Sequence, residues 1–186
     1  LPLFGENSHV LFEFPLYQIT ASLVSEIFRI DPVIAARLTG LAIFQFSAFL
    51  LLLLNKKYFD KKNELVLIVF YQFLPFGLFY GHAPLGEFLP VTFMYLAALL
   101  SRGRSREKQG AFVVISVLLV TLAFLTKVTS AVALTPLLLL KIVNSPKIER
   151  KFVSFRTGVS LAAGIAATVV WNNHADKLKE LNSYTE

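Results

Sequence analysis

Long apolar runs, broken at intervals by short polar and basic clusters, set the pattern of this chain. Residues 50–54, 113–125 and 131–140 have almost no polar break. The hydrocarbon of a bilayer is about 30 Å thick, and a helix needs about 20 residues to cross it. Six runs near that length predict spans at 35–54, 64–80, 87–100, 110–126, 129–143 and 152–171. The third, fourth and fifth are short, which predicts upright helices or a locally thinned bilayer. The fourth and fifth read as two helices because Lys127 interrupts them and the loops at their far ends are both basic. Pro75, Pro90 and Pro136 predict kinks.

Ahead of the first span, Leu16, Ile19, Leu23 and Ile27 recur at helical spacing, with Val24 and Phe28 beside them. Gln18, Ser22, Ser25 and Glu26 take the other face. Pro15 suits the first helical turn, where its missing N–H is not needed. The stretch is too short and too polar to span, so it predicts an amphipathic helix lying on the membrane surface. It should end near Asp31-Pro32, because a residue before proline avoids the α region. The expected organisation is an outer loop over 1–34, a membrane domain over 35–171 and the start of another outer loop over 172–186.

Composition removes the alternatives to a membrane protein. The chain is 55% hydrophobic and 16% charged, with a mean hydropathy of +0.64, against about 25% charged in soluble domains. A water-soluble globule and a disordered chain are both excluded, which leaves an all-α, multi-pass transmembrane helical bundle. Thirteen of the 18 Lys and Arg residues fall on one side of the six spans: Lys56, Lys57, Lys61, Lys62, Arg102, Arg104, Arg106, Lys108, Lys141, Lys147, Arg150, Lys151 and Arg156. The positive-inside rule makes that side cytoplasmic. The net charge of +6 therefore reports orientation, with membrane lipid as the partner and no nucleic acid. There is no cysteine, so disulfides and thiolate sites are absent. The chain opens on Leu1 and its only methionine is Met94, which predicts a piece of a larger protein.

The remaining charges carry the candidate chemistry. Ionisable groups at lipid depth are expensive and mark function or pairing. Arg37 lies in the first turn of the first span, Glu87 opens the third, Lys127 sits at the bend between the fourth and fifth, and Glu13 precedes the surface helix. All four fall at one membrane level, the outer one, so two acids and two bases can converge on one cavity. The plain alternatives are that Arg37 and Lys127 snorkel to head groups and that the acids cap their helices. His82 reads as a loop histidine and Trp171 as an aromatic interface anchor. No HExxH, DxD or glycine-rich phosphate loop is present, so no cofactor is indicated and metal dependence is left open.

Three stretches carry a resemblance. Phe12-Glu13-Phe14-Pro15-Leu16-Tyr17, followed by a surface helix and then Ala36-Arg37-Leu38, resembles the first outer loop of polyprenyl-phosphate-sugar-dependent glycosyltransferases of the GT-C fold. This group includes the protein O-mannosyltransferases and lipid A aminoarabinose transferases. Tyr80-Gly81-His82-Ala83-Pro84-Leu85-Gly86-Glu87 is similar to their second outer loop, with its acid at a helix start, and Leu125-Thr126-Lys127 to their Leu-Thr-Lys turn. The three occur in order, on one side, over nearly the whole chain.

The resemblance implies transfer of a hexosyl or pentosyl group from a polyprenyl or dolichyl phosphate to a protein, lipid or glycan acceptor. The active face would be periplasmic or extracellular, on the cell (inner) membrane. It implies Glu13 and Glu87 as catalytic acids or bases, and Arg37, Lys127, Tyr17 and His82 as phosphate- or substrate-binding groups. Two departures stand out. The family's first-loop acid lies nearer the preceding span, which would fall before Leu1, and Phe14 stands where proline is common. The piece alone is therefore expected to be inactive. A transporter or flippase of lipid-linked or small solutes is the competing reading, and a purely structural membrane subunit a third.

Overall fold

The computed structural model of the chain describes residues 14–56, 61–81, 86–100, 109–145 and 147–182. Every regular element among them is a helix. In chain order these are α1 (Leu16–Phe28), α2 (Pro32–Asn55), α3 (Lys61–Phe73), α4 (Pro75–Tyr80), α5 (Phe88–Leu100), α6 (Gln109–Thr126), α7 (Val128–Val143) and α8 (Lys147–Asn182).

Local chemistry sets the boundaries. α1 follows Pro15 and closes where Arg29 turns left-handed (φ 52°), its N–H reaching the Ser25 carbonyl. α2 starts at Pro32, three residues before the apolar run. Asp31 caps it, accepting from Val33 N at 2.8 Å and Ile34 N at 3.3 Å, and proline at the first position leaves no donor to satisfy. The run at 64–80 is two helices rather than one. Leu74 is extended ahead of Pro75, because the proline ring excludes the α conformation from its predecessor. Pro90 makes no break, since it lies in the first turn of α5, where an N–H has no intrahelical acceptor. Pro136 sits inside α7. The tail read as the start of a loop instead continues α8 to Asn182.

Contacts at the two ends fix the course of the chain. At one end Tyr17 Oη donates to the Ala36 carbonyl at 2.6 Å, Phe14 N donates to the Leu125 carbonyl at 3.1 Å, and the Phe14 ring packs edge-on against Trp171 with centroids 5.0 Å apart. At the other, basic end, Arg156 reaches the Leu100 carbonyl at 3.4 Å. α2 therefore descends from the Tyr17 end, α5 descends beside it, α6 returns, α7 descends and α8 climbs back.

Helix α5 forms the centre of the bundle. Met94 and Ala98 are fully buried, packed with Leu50 and Leu54 of α2, Val120, Ala123 and Phe124 of α6, and Ala131 and Leu138 of α7. Small residues let these backbones approach closely, as in other membrane bundles. α6 and α8 meet the same way: a Cβ on Gly164 would lie 2.8 Å from the Phe124 ring. Outward faces carry Phe46, Phe49, Phe70, Phe73, Leu118 and Val170, all exposed. That is the surface of a protein solvated by lipid. α2 and the Glu149–Lys177 part of α8 are long and apolar enough to cross a membrane, and the helices of α3, α5, α6 and α7 are shorter apolar ones. Gln45 and Gln72 exchange two amide hydrogen bonds between α2 and α3, satisfying polar groups that lipid cannot.

Candidate active site

Two charges predicted at one membrane level do meet. The Lys127 ammonium pairs with the Glu87 carboxylate, 40 residues away in sequence. Glu87 is 13% exposed and Lys127 27%. Glu87 directly precedes α5, where a negative charge is favoured by the helix N-terminus. Gly86 accepts from Leu89 N at 3.1 Å and so caps that helix. Lys127 is the single residue between α6 and α7. It is extended, yet its N–H still bonds the Ala123 carbonyl and its own carbonyl accepts from Ala131 N.

An aromatic floor supports the acid. Phe88, next to Glu87, packs on Phe44 with centroids 4.5 Å apart and on Tyr71 at 6.1 Å. Phe44 also stacks on Tyr71, whose hydroxyl lies 2.8 Å from Ser47 Oγ. Helix α4 crosses this ring because Gly77 and Gly81 have no side chain. A Cβ on Gly81 would stand 2.7 Å from the Phe44 ring. The break at Pro75 is thus what brings α4 over Phe44.

Phe14, just before α1, and Tyr17, in its first turn, contact the chain close to each member of the pair. Phe14 is hydrogen-bonded to Leu125, two residues before Lys127, and Tyr17 lies against Gly86, the residue before Glu87. Tyr17 is buried, and burial pushes its phenol above the ordinary value near 10. Its hydroxyl is therefore a proton donor at neutral pH, used on the Ala36 carbonyl. Arg37 is exposed, one residue after that carbonyl, and forms no part of the Glu87–Lys127 contact. Glu13 and His82 lie outside the described residues. Trp171, expected as an interface anchor at the end of its span, instead lies inside α8, half-buried against Phe14. Among the described residues, no group of three or more His, Asp or Glu side chains could hold a metal ion.

Ala36 and Gly86 lie in the stretches that carry the resemblance, but nothing in the sequence marks the contacts that they and Phe44 make here.

A groove of about 510 Å³ runs between α7 and α8, lined by Phe124, Val128, Val132, Pro136, Ile165 and Val169 among others. It reaches Val128, the neighbour of Lys127. A carboxylate and an ammonium at the edge of an apolar, lipid-facing groove can handle a proton and an anion together. No curated protein and no solved structure matches the chain. Residues 13–171, which include α1, both charges and the groove, match the family described as dolichyl-phosphate-mannose-protein mannosyltransferase. By that match the chain belongs to this family of GT-C-type membrane glycosyltransferases.

Proposed function

We propose that this protein transfers a sugar from a polyprenyl or dolichyl phosphate to an acceptor hydroxyl, at the membrane face opposite the basic loops. The observation that carries the reading is the Glu87–Lys127 pair, whose chain neighbours Gly86 and Val128 respectively meet Tyr17 and line an apolar groove. The acceptor oxygen attacks the anomeric carbon, and its proton passes to a carboxylate, for which Glu87 is in place. The bond from the anomeric carbon to the phosphate oxygen breaks, and the lipid phosphate leaves with the electron pair. A phosphate arriving at Lys127 competes with Glu87 for the ammonium through charge-assisted hydrogen bonds. That exchange frees the carboxylate to act as base only when donor is bound. The groove between α7 and α8 suits the first isoprene units of the donor. Arg37, exposed at the same end, is a second cation for the phosphate as it approaches. Glu13 and His82 stand in sequence beside α1 and α5 and are candidates for the acceptor side.

The test uses the whole protein in proteoliposomes with a labelled sugar carried on a polyprenyl phosphate. Transfer to a covalent product is expected, with Lys127→Met raising the donor KM at least tenfold. Solute uptake without covalent transfer, or an unchanged donor KM in Lys127→Met, refutes the reading.

A further inference from the structure

The resemblance placed Tyr17 among the substrate-binding groups, but its contacts point elsewhere. The side chain is 6% exposed, and its hydroxyl is engaged by the Ala36 carbonyl at 2.6 Å. Its other face rests on Gly86. A Cβ built on Gly86 would lie 2.9 Å from the Tyr17 Cβ and 3.1 Å from its Cγ. The Tyr17 Cβ is fixed to its backbone, so a rotamer change cannot relieve the clash and the backbone of α1 or of Gly86 would have to move.

We infer that Tyr17 and Gly86 form a latch that fixes the start of α1 against the helix ends that carry the Glu87–Lys127 pair, making both positioning residues for the transfer reaction. The inference rests on the site proposed above. Three links give the latch its effect. Tyr17 Oη ties α1 to α2 at Ala36. The bare Cα of Gly86 lets the same ring seat on the cap of α5, one residue from the acid. Phe14 N, two residues before α1, ties the start of that helix to the end of α6, two residues from the cation. The Phe14–Tyr17 segment thereby joins the end regions of α2, α5 and α6. Ala21, buried one turn later, continues the same face onto α2. A shift by the fraction of an ångström that an added methyl demands would displace the start of α1 relative to Glu87. Misplacements of about 1 Å cost transfer rates on the order of 100-fold elsewhere.

The test reads docking and catalysis separately in the whole protein freed of any other cysteine. Phe14→Cys with Leu125→Cys reports docking by the rate of short bis-maleimide cross-linking. Adding Gly86→Ala is expected to slow cross-linking at least tenfold. In the cysteine-free background it should lower kcat for sugar transfer at least tenfold with donor KM changed less than threefold. Tyr17→Phe keeps the ring and drops the hydroxyl; about a threefold fall in both readouts is expected, and it carries the test if the glycine variant does not accumulate. Cross-linking at the parental rate in both variants overturns the latch, and slowed cross-linking with unchanged kcat overturns its positioning role. If the parent itself transfers no sugar, cross-linking still decides the latch, and the proposed function is what fails.

Discussion

Replacing Lys127 by methionine keeps an unbranched side chain of nearly the same length and removes its charge, leaving the Glu87 carboxylate, 13% exposed, without this cation. Exposed ion pairs are worth about 0.2–1 kcal/mol, and breaking a buried one costs about 3–5 kcal/mol. The burial of Glu87 puts Lys127→Met between them, at about 2–3 kcal/mol. Glu87→Gln should cost less, about 1 kcal/mol, because the ammonium is twice as exposed and its flexible stem can swing to the head groups. The double variant should be less damaged than the sum of the two by about 1–2 kcal/mol, as expected for groups in direct contact. Reversible unfolding of the whole protein in detergent measures all three. The Tm of Lys127→Met should fall by roughly 4–12 °C, at about 2–4 °C per kcal/mol for a chain of this size. Additivity within about 0.5 kcal/mol, or a larger loss in Glu87→Gln than in Lys127→Met, would refute the pairing argument.

Other expectations follow from single contacts. Gly164→Ala should destabilise by about 1–3 kcal/mol because its methyl meets the buried Phe124 ring. Gly158→Ala, where nothing lies within 4 Å, should be neutral or stabilising by up to about 1 kcal/mol; equal unfolding midpoints for the two would contradict the packing assigned to α6 and α8. Asp31→Ala should cost about 0.5–2 kcal/mol through loss of the α2 cap, read by the same unfolding assay. Tyr17 has a raised pKa in the folded state, so above about pH 10 the unfolded chain loses this proton first and stability falls as pH rises. Tyr17→Phe should therefore show a shallower alkaline loss than the parent, and an unchanged alkaline slope would contradict the burial of that phenol.

Much of the architecture was legible because lipid imposes a simple code. Apolar length and basic loops located the helices, and Asp31-Pro32 and Lys127 marked true breaks. The misreadings have physical causes. The run at 64–80 looked continuous by hydropathy, yet the backbone restriction before Pro75 divides it. Pro90 looked like a kink, but its place in the first turn of α5 makes it harmless. Polarity after Trp171 suggested a loop, whereas no glycine or proline follows Gly164, and α8 runs on with Ala175 buried. Glu87 and Lys127 were legible as charges at one level. Their partnership was not, because it depends on where α5 and the α6–α7 joint meet. The packing of Tyr17 on Gly86 had no sequence signature, since a missing Cβ matters only once its neighbour is known.

The central claim is that Glu87 accepts the proton of the attacking hydroxyl. Single-turnover sugar transfer by Glu87→Gln in the whole protein, at saturating lipid-phosphate donor, tests it most directly. The account predicts at least a tenfold slower chemical step than wild type with donor binding retained; a wild-type rate would contradict it.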